Sequence, residues 1–128
     1  MIQLLKEQAL YNFFSSFGVP AYEEHSVPTG DDRPAYPYIT YEMRTDLFGD
    51  YDTASTFSIW DNASTWSRLI TLVNTISADI GRWGKVLKCN NGYILIYRDM
   101  PFAQADAEAD TSIKRELCSI KLRYYTND

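Results

Sequence analysis

Residues 64–80 read STWSRLITLVNTISADI and carry a continuous hydrophobic stripe. The apolar residues recur at steps of three and four, which is the spacing of one face of an α-helix. They are Trp66, Leu69, Ile70, Val73, Ile76 and Ile80. Asn62 or Ser64 can cap this helix at its start, and Gly81 and Gly84 can end it. The stretch therefore predicts an amphipathic helix over residues 64–80 that packs one face on the rest of the protein.

The segments before this helix predict another helix and three strands. Apolar residues recur at helical spacing from Ile2 to Phe17, and Gly18 and Pro20 then stop the helix at about residue 17. The predicted strands cover Ala21–Ser26, Tyr38–Arg44 and Thr56–Trp60. Four of the five prolines lie between residues 20 and 37, which predicts an exposed loop in that region.

The segments after the helix predict three more strands. The sequence NNG at residues 90–92 predicts a hairpin turn at Asn91-Gly92. The strands are expected over Lys85–Cys89, Tyr93–Arg98 and Ser112–Tyr125, with a loop from Ala103 to Asp110 before the last one. In that last strand the apolar residues change face, which predicts a bulge or bend near Leu117.

The predicted order is α-β-β-β-α-β-β-β, in which runs of strands are separated by helices. This order favours an α+β fold with two helices and a mainly antiparallel sheet. A chain of 128 residues has the usual length of one domain, so residues 1–128 are expected to form a single domain around one core.

Charge and composition exclude several classes of protein. The chain has 17 acidic and 12 basic side chains and a net charge of −5, which argues against a protein that binds nucleic acid by neutralising phosphates. No apolar run is long enough for a membrane span, and the N-terminal residues lack the order of a signal peptide. Cys89 and Cys118 lie far apart without a CxxC pair, which favours a reducing compartment and no zinc site.

Motifs that carry chemistry are missing. His25 is the single histidine, no G-x-S-x-G sequence is present, and no glycine-rich phosphate loop occurs. We therefore expect a surface role for His25, no bound cofactor and no enzymatic activity. The aromatic and basic residues of the last strands have three possible uses: stacking on single-stranded bases, packing across the sheet, or contact with another protein. They are Tyr93, Tyr97, Tyr124 and Tyr125, with Lys114, Lys121 and Arg123.

Asp106, Glu108 and Asp110 stand at every second position, as the first ligands of a calcium-binding EF-hand do. The sixth position of that loop needs Gly and the twelfth needs Glu, but the chain has Thr111 and Leu117 there. We therefore expect no metal at this triplet. Eight of the seventeen acidic residues fall in three predicted loops: Asp31, Asp32, Asp46, Asp50, Asp52, Asp106, Glu108 and Asp110.

The succession of motifs along the whole chain resembles a family of small phage proteins. The motifs are VPAY at residues 19–22, YPYITYE at 36–42, FSIW at 57–60, GYILIYR at 92–98, PFAQ at 101–104 and DTSIKR at 110–115. Together they resemble tail proteins of bacteriophages and prophages of Gram-positive hosts, of the tail-terminator type similar to lambda-class terminators. The family resemblance implies no catalytic residue.

That resemblance implies a ring, usually a hexamer, that caps the tail tube, stops its elongation and presents the surface to which the head joins. The implied partners are other copies of the chain, the tail tube protein and a head-completion or connector protein, while DNA passes through without specific binding. The implied location is the virion, after assembly in the host cytoplasm. Candidate rim or lumen residues are Asp106, Glu108, Asp110, Lys114 and Arg115.

Three alternatives stay open. The first is a head-completion protein, head–tail connector or minor capsid protein. The second is a metal-dependent enzyme built on the acidic triplet with Asp46 or Asp50 nearby. The third is a ligand-binding module with an apolar pocket in a monomer.

Overall fold

The computed structural model describes residues 4–46, 52–107 and 112–127. The helices are α1 (Lys6–Phe14) and α2 (Ser67–Ile80). The strands are β1 (Ala21–Glu23), β2 (Tyr38–Tyr41), β3 (Thr53–Asn62), β4 (Lys85–Cys89), β5 (Gly92–Ala107) and β6 (Ile113–Thr126). The fold is α+β, as predicted. The predicted order matches loosely, because 3-10 turns at Ser15–Phe17 and Gly30–Asp32 intervene and several boundaries differ.

The strands form a six-stranded sheet in the order β1-β2-β3-β6-β5-β4. The pair β1 and β2 is parallel, and the other pairs are antiparallel. At the centre, β3 and β6 pair without interruption from Thr53 opposite Leu122 to Asn62 opposite Ile113. These two strands therefore position the side chains that α2 packs on.

The sheet is curled around the two helices. Helix α1 contacts both edge strands, β1 and β4, which lie at opposite ends of the strand order. Its Phe14 ring stacks on Tyr41 at 4.6 Å and lies 5.2 Å from the Phe57 ring, measured between ring centres. Helix α2 packs on β3, β5 and β6 on the same side. We call this side the concave face of the sheet and the other side the convex face.

Strand β6 alternates regularly between the two faces, so the predicted bulge near Leu117 is wrong. Residues at even positions, from Glu116 to Thr126, are buried on the concave face. Leu117 lies on the convex face. The core-facing position at which the apolar pattern appears to break is occupied by a charged residue, Glu116. The irregularity is in the partner strand instead, between Arg98 and Ala103 of β5.

Several predicted boundaries are also corrected. Helix α2 begins at Ser67, and its N-cap is Trp66, which makes no side-chain cap hydrogen bond; Asn62 is the last residue of β3. Within the predicted stripe, Ile70 is 48 % exposed, so it lies on the solvent side of the helix. No helix among the described residues is long and apolar enough to cross a membrane.

The predicted hairpin joins β4 and β5, but its central residues are Asn90 and Asn91, one position earlier than expected. Gly92 already pairs with Cys89 and has φ of 146°. A Cβ atom there would lie 1.9 Å from the Tyr125 carbonyl oxygen, so close approach of β6 explains why glycine occupies this position.

Candidate assembly surface

The candidate rim residues lie where β5 ends and β6 begins. Asp106 is an exposed residue of β5 and is the register partner of Arg115 in β6, while Lys114 pairs with Ala107. Strand β5 runs to Ala107, so the prediction of a loop is wrong for residues 103–107. Glu108 and Asp110 lie outside the described residues, and their role in assembly stays a prediction.

Arg115 is held on the convex face by neighbouring strands. Its guanidinium lies 4.8 Å from the centre of the Trp60 ring, and its Nε donates to Ser58 Oγ at 2.9 Å. The Trp60 indole in turn donates to Thr40 Oγ1 at 2.9 Å. Because a stacked and hydrogen-bonded guanidinium is largely engaged within its own chain, Arg115 is less available to a partner than predicted.

Lys114 points to the opposite face and is also engaged. Its Nζ donates to the Ala63 carbonyl oxygen at 2.7 Å and lies 5.7 Å from the centre of the Trp66 ring. Lys114 therefore fixes the chain just before α2, and the two neighbouring cations act on different faces of the sheet.

Under the start of α2 lies an ion pair that sequence reasoning missed. Asp61 has no exposed surface; Arg68 Nε donates to its Oδ2 at 2.9 Å, and Arg68 Nη2 donates to its Oδ1. The Asn62 N–H donates to the same Oδ1 at 2.8 Å. The bond from Arg68 is the main reason that the pKa of Asp61 lies below its ordinary value. The buried carboxylate is thus kept ionised and anchors α2 to β3.

The pKa of Glu116, on the same face of the sheet, is shifted in the opposite direction from that of Asp61. It is 8 % exposed, and burial raises the pKa of its carboxyl group. Two carboxyl groups with pKa values shifted apart are typical of acid–base enzymes. Asp61 and Glu116 are both buried, however, and a solvent-borne substrate cannot reach them as they lie, so their arrangement does not favour the enzyme alternative.

The enzyme alternative needs Asp46 or Asp50 close to the acidic triplet, and the described residues Asp46 and Asp106 do not lie close together. Asp46 accepts a hydrogen bond from Thr53 Oγ1 at 3.0 Å, at the first residue of β3. Asp106 lies beside Arg115, whose partner in β3 is Trp60. Seven residues of strand correspond to about 23 Å, so Asp46 and Asp106 are too far apart to share one ion. Asp50 lies outside the described residues.

One group of three potential ligands does occur in the described ranges. Glu23, Glu24 and His25 have one ligand atom each within 4.8 Å of one another. His25 is exposed, and its Nδ1 lies 2.7 Å from Glu23 Oε1, which raises the pKa of the imidazole. The location of His25 on the surface agrees with its predicted role. Exposed carboxylates beside a histidine are common without a metal, so the group carries no metal assignment.

The proline-rich segment forms one wall of a groove of about 770 Å³ at the end of the sheet. The lining residues come from residues 27–36 and from the ends of β2, β3 and β6. Ile113 lines this groove and also touches the small space between Trp60 and Asp106. The groove therefore adjoins the candidate rim residues, although the sequence predicted only an exposed loop here.

A second surface is formed by the turn between α2 and β4. This turn, which we call the tip, consists of Gly81, Arg82, Trp83 and Gly84. Trp83 is 83 % exposed, although tryptophan is usually buried for most of its surface. The sequence signal was present, since a Trp between two glycines stands outside both the helical stripe and the following strand, but the prediction used the glycines only as a helix stop.

The tyrosines of β5 and β6 are divided between the faces of the sheet. Tyr124 is buried on the concave face, and burial is the main cause that raises its pKa. Tyr93 and Tyr125 stack on each other on the convex face with ring centres 4.8 Å apart. Arg123 Nε donates to Asp52 Oδ1 at 3.1 Å. These contacts agree with packing across the sheet rather than with a platform for bases.

Cys89 and Cys118 form no disulfide bond among the described residues. Cys118 is buried, and burial raises the pKa of its thiol to about 12. It is therefore an inert core residue.

The comparisons with known proteins add no family. The chain matches no protein-family model, and no curated protein is significantly similar to it.

Proposed function

We propose that this protein is a structural assembly protein of the tail-terminator type, which forms a ring on the end of a phage tail tube. The whole-chain resemblance to that family suggests the role. The exposed Trp83 is the observation that carries the proposal, because a large aromatic ring left in water is typical of an interface anchor. The function of the tip is then contact with another protein and not chemistry on a substrate.

The acidic segment has a role in this proposal. Asp106 is exposed at the end of β5, and the sequence continues with Glu108 and Asp110. In a ring through which DNA passes, carboxylates along the passage repel phosphates and keep the genome from adhering. The net charge of −5 agrees with a surface that does not retain DNA.

A head-completion or connector role is the main competitor, since it also needs a small assembly protein. The experiment that separates the two is complementation in the phage whose genome encodes the chain. A null mutant should produce overlong tails that do not join heads, and expression of the wild-type protein should restore normal tail length. Electron microscopy of lysates measures tail length, and plaque counts measure infectious yield.

Normal tail length in the null, together with unjoined or leaky heads, would overturn the terminator proposal and favour head completion. A chelator-sensitive enzymatic activity of the purified protein would overturn both and support the enzyme alternative.

A further inference from the structure

The backbone of the tip at the end of α2 is set by its two glycines. Gly81 and Gly84 have φ values of 78° and 92°, a conformation that favours glycine. A Cβ atom on Gly84 would lie 2.9 Å from the Ile96 carbonyl oxygen, so the base of the tip rests closely on β5. The Arg82 guanidinium lies 5.2 Å from the centre of the Trp83 ring. The tip therefore presents the exposed Trp83 on a backbone turn that rests on β5.

An apolar groove lies at the other end of the same helix. Its volume is about 520 Å³, which leaves ample room for an aromatic side chain. The lining residues are Val19, Pro37, Ser67, Arg68, Thr71 and Leu72. The charge of Arg68 is already paired with the buried Asp61, so the groove offers mainly apolar contacts. We call it the α2 groove.

The positions of the tip and the α2 groove identify the occupant as a second copy of the chain. The helix has 14 residues and is about 21 Å long, so Trp83 cannot reach the groove of its own chain. A knob and a hole on opposite sides of one subunit make a heterologous, head-to-tail contact, which closes into a ring when the rotation is right. Two tips that face each other, or two α2 grooves that face each other, would not be complementary.

We propose that Trp83 of one copy inserts into the α2 groove of the next. This inference rests on the proposed ring for its biological role but can be tested without a phage. One tryptophan buries about 150–250 Å², far less than the total of about 1,200–2,000 Å² that stable interfaces bury. Self-association in solution is therefore concentration-dependent, and the tube end completes the ring.

The test is sedimentation of purified wild-type and variant proteins up to millimolar concentration. Trp83→Ala removes the knob, and Thr71→Arg blocks the groove at an exposed helical position. Each variant alone should stay monomeric, with an unchanged melting temperature. Met100→Ala is the matched control, because Met100 is 90 % exposed on β5 and belongs neither to the tip nor to the lining of the α2 groove, and it should associate like the wild type.

The decisive measurement is the mixture of the two variants. Trp83→Ala retains an intact groove and Thr71→Arg retains an intact knob, so an equimolar mixture should form heterodimers and stop there. A mixture that stays monomeric, a Trp83→Ala variant that associates like the wild type, or a wild-type protein that is monomeric throughout would overturn this contact. The proposed function is judged separately by tail length in the null mutant.

Discussion

The two ends of α2 differ in how they use their side chains. At its start, charged groups are paired within the chain: Arg68 with Asp61, and Lys114 with the Ala63 carbonyl oxygen. At its end, the tip exposes Trp83, whose ring centre lies 5.2 Å from the Arg82 guanidinium. The first end therefore fixes the helix on the sheet, while the second end leaves an aromatic ring exposed to solvent.

This difference changes which residues we regard as functional. The sequence directed attention to charge, and Lys114 and Arg115 were predicted as rim residues. Both are engaged in their own chain, and a group whose hydrogen bonds are already satisfied gains little from a partner. The exposed tryptophan has the larger free energy to gain from contact, since burial of apolar surface drives most association.

The largest effect is expected on the face of α2 that packs on the sheet. Leu69 is fully buried and its neighbour Ile70 is 48 % exposed. Leu69→Ala should lower the free energy of unfolding by about 2–5 kcal/mol, because it leaves a cavity. Ile70→Ala should change it by less than about 0.5 kcal/mol. Urea unfolding measures both, and equal losses would show that the helix is oriented differently.

The fold could be predicted from sequence wherever a local pattern decides the structure. The stripe in residues 64–80 and the sequence NNG placed α2 and the β4–β5 hairpin. The continuation of β5 through AQADA at residues 103–107 could not be predicted, because alanine and aspartate have low strand propensity and pairing with β6 decides the outcome.

The candidate site was predictable only in part. The sequence placed Asp106 near Lys114 and Arg115, and their strands are indeed neighbours. It could not show that Lys114 and Arg115 have partners, that Asp61 is buried, or that Trp83 is exposed. Those properties depend on register and on the curl of the sheet, which no short segment determines.

The next largest effect concerns the buried ion pair at the start of α2. Asp61→Asn removes the charge that Arg68 binds and should cost about 1–3 kcal/mol of stability at pH 7. The pKa of Asp61 is lowered in the folded protein, so its contribution is present above the ordinary value of 3.8 and is lost as the pH falls through the folded pKa. The variant should therefore differ from the wild type at pH 7 and converge with it in acid.

Asp106→Asn is the matched control for that experiment, because Asp106 is exposed. Melting curves over a pH series measure both variants. A constant difference between Asp61→Asn and the wild type at every pH would contradict the ionised pair and attribute the loss to packing.

A smaller effect of opposite sign is expected at Glu116. Burial raises its pKa, so folding favours the protonated form; the stability from this group is fully present below the ordinary value of 4.5 and is lost as the pH rises through the folded pKa. At pH 7, Glu116→Gln should stabilise the protein by less than about 1 kcal/mol, because it removes a buried charge. The gain should disappear in acid, and a variant less stable than the wild type at pH 7 would show that the carboxylate has a partner.

The smallest effect on stability is expected when the three carboxylates of the acidic triplet are replaced. Asp106→Ala, Glu108→Ala and Asp110→Ala together should leave the melting temperature unchanged, because Asp106 is exposed and surface carboxylates contribute little to folding. Their contribution should appear in assembly and in passage of DNA, since the triple variant loses three negative charges from the end of β5 and the residues that follow it. In complementation of the null mutant, tails should regain normal length while infectious yield falls.

The matched comparison is the triple replacement by Asn, Gln and Asn, which keeps the size of the side chains and removes the same charge. If repulsion of DNA is the reason for the acidic residues, both triple variants should lower infectious yield equally, because both lose the same three negative charges. A normal yield from the Asn, Gln and Asn variant with a low yield from the alanine variant would assign the segment to a packed subunit contact. A lower melting temperature in either variant would mean that these carboxylates, like Asp61, have partners within their own chain.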